Sequence, residues 1–285
     1  MRGETYQSSG FDISTEFPLT LAETYADSDL NSALVGTVSG LHPGMEKFVN
    51  ASIGKYTGKL APKPNQTNAG SVMLFGPAIA TLVCNKSGGT LAKGALAKWY
   101  ISGTITFTAG STTTGTSAAA FVADEQVGNF LYMLDNASGA GAAPEAECAQ
   151  IIKNTANVIT FQPPLTTAIA NNDTGILFSK SQVIAGASGD ERTQTAGIVL
   201  APDGIPNRYW GWVCRKGCVQ ALITATTTIT ANRALKADTG RLVICGGATL
   251  HQLTLGHVLM AQTNDVVSDL MVVEFDAWTP QSLAT

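Results

Sequence analysis

Polar and apolar residues alternate along much of the chain from residue 71 onward. The stretch Thr104–Thr108 (TITFT) alternates strictly, and parts of Thr224–Thr230 do the same. A period of two residues places side chains on opposite faces of a β-strand, and the many β-branched residues suit a pleated, half-buried surface. Clusters of Gly, Asn and Asp separate these short segments. The pattern predicts a mainly β protein built from antiparallel sandwich or barrel modules.

Two tight turns are predicted in this region. Asp238-Thr239-Gly240 fits a β-hairpin turn in which the glycine supplies a positive φ. A three-residue loop at 215–217 (RKG) also ends in glycine, and such a hairpin places Cys214 and Cys218 opposite each other. A loop this tight strains a disulfide, and five cysteines form no dense framework, so we expect thiols in a protein made in a cytoplasm.

A short pattern recurs three times along the β region: a glycine, then apolar residues, then a turn and a returning strand. It begins at Gly128–Leu131, Gly197–Leu200 and Gly256–Leu259. The returning strands of the last two are Arg208–Cys214 and Leu270–Phe275. The recurrence predicts three hairpins of related design.

The first seventy residues differ from the rest of the chain. Acidic residues dominate up to Glu46, lysines follow, and Gly and Pro interrupt the later part. Thr20–Glu23 (TLAE) fits a capping box, which predicts one short helix over Leu21–Leu34. The segment is too polar and too interrupted to hold a core of its own. We therefore expect an extended N-terminal arm that lies on another surface, such as a neighbouring subunit.

These features divide the chain into four parts. They are the arm (1–70), a first β region (71–195), a second β region (196–278) and a C-terminal tail (279–285). Whether the two β regions are separate or form one continuous domain stays open at this stage.

Charge is sparse in this protein. Its 285 residues include 17 Lys and Arg against 21 Asp and Glu, or 13% charged residues with a net charge of -4, whereas typical domains carry about 25%. Nucleic-acid binders need a concentrated basic surface, and the apolar run Ser71–Cys84 is shorter than the ~20 residues that span a bilayer. We expect neither nucleic acid nor membrane as a partner. Low charge instead favours surfaces that other subunits cover, because few charges must lose water.

The residue set offers little for catalysis. His251 and His257 lack the spacing of metal ligands, while Asp124-Glu125 and Asp190-Glu191 are adjacent pairs that a strand would send to opposite faces. Both acidic pairs are interpreted as solvated turn residues. We predict no catalytic residue, no metal site and no cofactor.

Tyr209–Trp212 (YWGW) is the densest aromatic cluster. Trp210 and Trp212 share one face of a strand. Exposed indole rings stack on sugars, which makes a carbohydrate-binding module an alternative, but core or interface packing is the more common use of such residues. We interpret the pair as core or interface residues.

Several segments together resemble virion structural proteins of tailed bacteriophages. The likeness covers about residues 71–278 and is greatest to the small β-rich proteins that decorate or cement the head. The segments that carry it are NKSGGTLAKG at Asn85–Gly94, GIVL at Gly197–Leu200, YWGWV at Tyr209–Val213, DTGRL at Asp238–Leu242 and LGHVL at Leu255–Leu259.

This resemblance implies a non-enzymatic decoration protein, made in the host cytoplasm, that binds the outer surface of the capsid and stabilises contacts between major capsid subunits. Its partners would be the major capsid protein and further copies of itself, as a homotrimer. Alternatives are a tail, baseplate or fibre component, or a carbohydrate-binding adhesin module. The uncharged stretch Ser102–Val122 is the best interface candidate of the β region. The candidate interface residues are Leu21, Tyr25, Leu34, Phe48 and Tyr56 in the arm and Thr104, Thr106, Thr108, Trp210 and Trp212 in the β regions.

Overall fold

A computed structural model describes residues 24–26, 44–49, 74–118, 120–134, 144–188, 190, 194–224, 229, 231–245, 254–259 and 269–277. All regular secondary structure in these residues is β-strand, which confirms the prediction of a mainly β protein. The strands are β1 Tyr25–Ala26, β2 Glu46–Val49, β3 Leu74–Asn85, β4 Leu96–Ile101, β5 Ile105–Gly110, β6 Thr114–Ser117, β7 Phe130–Met133, β8 Cys148–Asn154, β9 Val158–Gln162, β10 Thr174–Ala185, β11 Thr195–Val199, β12 Tyr209–Thr224, β13 Ala234–Asp238, β14 Arg241–Ile244, β15 Gly256–Val258 and β16 Asp269–Asp276.

The described residues divide into two compact units. Unit 1 consists of those up to Trp99 together with those from Ser181 onward, and unit 2 is Tyr100–Lys180. The chain therefore leaves unit 1 once, forms unit 2 and returns. The predicted boundary between regions 71–195 and 196–278 falls inside unit 1, because that prediction assumed consecutive domains and the barrel unit is an insertion.

Unit 2 is a closed six-stranded antiparallel barrel. Its strands pair in the order β5–β6–β9–β8–β7–β10, and pairing of β10 with β5 closes the ring. The alternation predicted for Thr104–Thr108 is confirmed, since Ile105 and Phe107 are buried while the threonines between them are exposed. A barrel of this size is filled by its own side chains. Those that fill it are Ile105, Phe107, Leu131, Met133, Ala149, Ile151, Ile159, Phe161, Leu165, Ile169 and Leu177.

Strand β6 carries a glycine, Gly115, at a position where a side chain would enter the barrel core. A Cβ atom at Gly115 would lie 2.7 Å from the ring of Phe107, closer than atoms in contact allow. Phe107 is fully buried and is among the largest enclosed side chains of the protein. The glycine on β6 thus makes room for the phenylalanine on the neighbouring strand.

Unit 1 is organised around the 16-residue strand β12. The first half of β12 belongs to a closed ring of pairings, β3–β12–β11–β4–β10, and its second half belongs to another, β12–β16–β15–β13–β14. Each ring has five strands and one short parallel pair, at Gln182↔Cys84 and at Ile223↔Leu242. Two register shifts opposite β3, between Cys214 and Val219, let one strand serve both rings.

The hairpin predicted at residues 212–219 is wrong. Cys214 and Cys218 lie on the same strand, β12, where Cys214 is opposite Ala80 on β3 and Cys218 is opposite Glu274 on β16. The glycine that suggested a turn, Gly217, does have a positive φ of 131°. That conformation belongs to the irregular part of β12 rather than to a chain reversal.

The hairpin turn predicted at Asp238-Thr239-Gly240 is confirmed. Asp238 pairs with Arg241, so Thr239 and Gly240 form the loop of the β13–β14 hairpin, and Gly240 has a φ of 64°. All three recurrent segments also contribute to a strand that pairs antiparallel with the next strand along the chain, although Gly197 is the third residue of β11 and the turns after the first and third segments lie outside the described residues. The pairs are β7 with β8, β11 with β12 and β15 with β16.

Where the structure describes the arm, the arm is extended as predicted, but it pairs with its own chain and forms no helix there. Tyr25 and Ala26 form strand β1 opposite Trp210 and Tyr209, so this part of the predicted helix Leu21–Leu34 is extended. Strand β2 pairs with β3, and Met45 beside it is 4% exposed within the main cluster of unit 1. These pieces of the arm complete sheets of their own chain, because strand edges offer unpaired backbone groups.

Candidate binding surface

Outward-pointing threonines lie on four consecutive strands of the barrel in unit 2, β9, β6, β5 and β10. Thr106 on β5 is directly opposite Thr174 on β10, and Thr114 on β6 is directly opposite Thr160 on β9, so each pair shares a face. Inward-pointing residues alternate with them on every one of these strands. We name this outward surface the threonine face; it consists of Thr104, Thr106, Thr108, Thr114, Thr116, Thr160 and Thr174.

Three predicted interface residues lie on this surface. Thr104, Thr106 and Thr108 are all exposed, on or immediately before β5. The Thr108 hydroxyl donates a hydrogen bond of 3.3 Å to the Thr116 carbonyl of β6. The predicted stretch Ser102–Val122 thus supplies β5 and β6, the centre of the threonine face.

The strands of the barrel carry very little charge. Between residues 105 and 180, the six strands contain two charged residues, Lys153 and Lys180. A hydroxyl loses far less free energy than a carboxylate or ammonium group on leaving water, and it can donate to and accept from a partner. The threonine face therefore loses little free energy when a partner covers it, and it can form hydrogen bonds with that partner.

Trp210 and Trp212 do not form an exposed platform. They are 3% and 0% exposed and belong to the main apolar cluster of unit 1. Val213, the next residue along β12, belongs to a second apolar cluster on the opposite face of the strand. The carbohydrate-binding alternative loses the two residues on which it was based.

The described parts of the arm are fixed to unit 1 by an ion pair as well as by β pairing. Glu46 accepts a hydrogen bond of 2.7 Å from Nη1 of Arg215, and both side chains are about three-quarters covered. The Arg215 guanidinium also lies 5.5 Å from the ring centre of Trp99. The side chains of Tyr25 and Phe48 are not described, and Leu21, Leu34 and Tyr56 lie outside the described residues.

The cysteines among the described residues are thiols. Burial raises the pKa of Cys214 far above its ordinary value, and burial followed by the charge of Glu274 raises the pKa of Cys218 to about 11. Both groups are therefore protonated at neutral pH. Cys148 differs from them because its side chain is exposed on β8.

The acidic and histidine side chains differ in their burial. Asp190 is buried, not solvated: it pairs with Lys98 at 3.1 Å and accepts a hydrogen bond from the Ala187 amide. Asp124 is exposed, as predicted. His257 is exposed on β15, whereas Glu191 and His251 lie outside the described residues. Within the described ranges no three His, Cys, Asp or Glu side chains are grouped so as to hold a metal ion.

A second exposed surface on unit 2 includes Val122, the last residue of the predicted stretch Ser102–Val122, but its other residues were not predicted. Val122, Val127 and Ile152 are each more than 40% exposed although they are large and aliphatic. Single apolar residues between polar neighbours gave no pattern, because residues 121–129 form no strand and only the fold brings them beside β8.

Comparison with known proteins gives no relative from which a role could be transferred. No protein-family model, curated protein or solved structure matches this chain. In the part of the chain that the structure describes, no helix is long and apolar enough to cross a membrane.

Proposed function

We propose that this protein is a non-enzymatic decoration protein that binds the outer surface of a bacteriophage capsid through the threonine face of unit 2. The observation that carries the proposal is the set of outward-pointing threonines on β5, β6, β9 and β10; those on or immediately before β5 are exposed and the others are half-buried. The resemblance of residues 71–278 to virion decoration proteins supports the same role, and it directs the proposal to a phage head.

Covering a protein surface removes its polar groups from water, and this desolvation has a free-energy cost. A repeating shell offers many identical sites, and a protein that binds all of them must bury the same face each time. Hydroxyls and methyl groups of threonine lose little on leaving water, and their hydrogen bonds can be replaced by bonds to the shell. The rigid barrel beneath the face means that little conformational freedom is lost on binding.

The proposed role of unit 1 differs from that of unit 2. Its strands bury both faces of β12 in two apolar clusters, with Trp212 and Val213 on opposite sides. We assign unit 1 the role of a stable body that carries the barrel. The major capsid protein and further copies of this chain are the proposed partners, and no cofactor is part of the mechanism.

The proposal is tested with heads from a phage that lacks this gene. Purified protein is mixed with such heads, and the copies that sediment with each head are counted by quantitative gel densitometry. Saturation at a fixed number of copies per capsid subunit is the expected result. Failure to bind heads, together with antibody labelling of the tail in wild-type particles, would replace this proposal with the tail or fibre alternative.

A further inference from the structure

A small apolar surface lies on the rim of the barrel in unit 2, on two adjoining segments. The segment 121–129 runs beside the end of β8, where the Gly128 amide donates to Ile151 at 2.8 Å and the Asp124 amide donates to Asn154 at 3.0 Å. The Asn154 side-chain amide donates in turn to the Val122 carbonyl at 2.8 Å. These hydrogen bonds hold the two segments in a fixed arrangement.

Three aliphatic side chains project from this arrangement into solvent. Val122 is 49% exposed, Val127 is 41% exposed and Ile152 is 45% exposed. Asp124 and Lys153, both exposed, lie beside them on the same two segments. We name these five residues the rim patch. Single exposed aliphatic residues are ordinary, but several on one fixed surface with charges at the side are typical of an interaction site.

We infer that the rim patch binds a second copy of this chain across a two-fold axis. A two-fold axis makes every contact between the copies occur twice. Asp124 of the first copy therefore faces Lys153 of the second, and Lys153 of the first faces Asp124 of the second. Of the charged residues on these two segments, Asp124 and Lys153 are exposed and Glu125 is half-buried, so the exposed charges are one of each sign and complement each other across the axis. A partner surface of a single sign would place one of these two charges against a like charge.

This inference does not depend on the proposed function. The rim patch is formed by residues 122–127 and the end of β8, whereas the threonine face is formed by β5, β6, β9 and β10. Self-association can therefore be measured on the isolated protein without heads. If both contacts exist, a head-bound copy also gains from its neighbours, because every added contact is then made at high effective concentration.

The first test is sedimentation equilibrium of the full chain over roughly 1–100 µM, the range in which a small interface dissociates. The expected mass rises from monomer towards dimer. Ile152→Lys adds one charge per copy, and therefore two, at the centre of the contact. We expect it to raise the dissociation constant of the dimer at least tenfold. Leu259→Lys is the matched control, since Leu259 is 41% exposed in unit 1, and it should leave the equilibrium unchanged.

A charge variant tests the predicted pairing. Lys153→Glu places a glutamate against Asp124 of the other copy and should weaken the dimer about tenfold at low salt. Adding Asp124→Asn removes that repulsion and should restore most of the association; asparagine also tolerates the φ of 59° at this position. A protein that stays monomeric over the whole range overturns the inference, as does a dimer or trimer that Ile152→Lys leaves intact.

Discussion

Thr106 and Phe107 are neighbours in the chain, yet they have opposite roles in unit 2. Phe107 is fully buried in the barrel, while Thr106 is exposed on the threonine face. One residue of register separates the two environments, so a shift of one position in β5 would place threonine in the core and phenylalanine in solvent. Stability and the proposed binding are thus specified by alternate residues of the same strand.

The thiols should differ in reactivity according to their burial. We expect iodoacetamide at pH 7.5 to modify Cys148 first in the native protein, because its side chain is exposed. Cys214 is buried and protonated, so it should be modified only after unfolding. Peptide mass mapping of native and urea-unfolded samples distinguishes the sites. Modification of Cys214 as fast as Cys148 in the native protein would contradict the assigned position of β12.

The raised pKa of Cys218 predicts that the free energy of unfolding depends on pH. The folded-state pKa of Cys218 is raised to about 11 from an ordinary value of 9.0. The protonated form is favoured in the fold, so this contribution to the free energy of unfolding is fully present below pH 9 and is lost as the pH rises towards 11. Urea titrations at pH 8 and pH 10.5 measure it. Cys218→Ser should reduce the difference between the two titrations.

At the scale of elements, packing of the small barrel requires a residue without a side chain at Gly115. Gly115→Ala places a methyl group 2.7 Å from the ring of Phe107. We expect this overpacking to lower the free energy of unfolding by about 1–3 kcal/mol. Gly103→Ala is the control, because nothing lies within 4 Å of its added Cβ. Equal urea midpoints for the two variants would show that the ring has room to move.

The strand β2 also has a predicted energetic role in unit 1. Met45 beside it is buried in the main cluster, so Met45→Ala should destabilise the protein by about 2–5 kcal/mol through lost burial and a cavity. Leu259→Ala, which truncates an exposed residue, should change the midpoint of thermal unfolding very little. If the two variants unfold at the same temperature, the arm contributes no stability to its own chain.

Strands that follow a simple alternation could be predicted from the sequence, and those that break it could not. β5 and the β13–β14 hairpin were predicted because the side-chain period and a positive-φ glycine are local signals. Gly217 gives the same local signal inside a continuous strand, and only its pairing with β3 distinguishes an irregularity from a turn. β1 was mistaken for part of a helix because its pairing with β12 joins residues far apart in sequence.

The same limit applies to the candidate surfaces. Thr104, Thr106 and Thr108 were identified because they lie in one uncharged alternating stretch. The remaining threonines of that face are on β6, β9 and β10, which a sequence pattern does not bring together. The burial of Trp210 and Trp212 follows the ordinary preference of large aromatic rings.

At the scale of the whole molecule, the chain leaves and re-enters unit 1 at neighbouring positions. Trp99 on β4 is paired with Val183 on β10, so the ends of the inserted segment are adjacent. We expect a variant in which residues 101–180 are replaced by a short glycine-rich turn to keep the fold of unit 1. Near-ultraviolet circular dichroism of its buried tryptophans and a cooperative thermal transition measure this. A variant without either signal would mean that unit 1 needs the barrel to fold.

Contact between the threonine face and the head is tested most directly by one comparison of occupancies. Thr106→Lys puts a charge in the middle of the face, and Thr90→Lys makes the same change at an exposed position of unit 1. Both are mixed with heads that lack the protein, and bound copies are counted after sedimentation. We predict that Thr106→Lys lowers the affinity at least tenfold, which corresponds to about 1.4 kcal/mol or more, while Thr90→Lys binds as the wild type does. Equal binding of Thr106→Lys and the wild type would contradict the account.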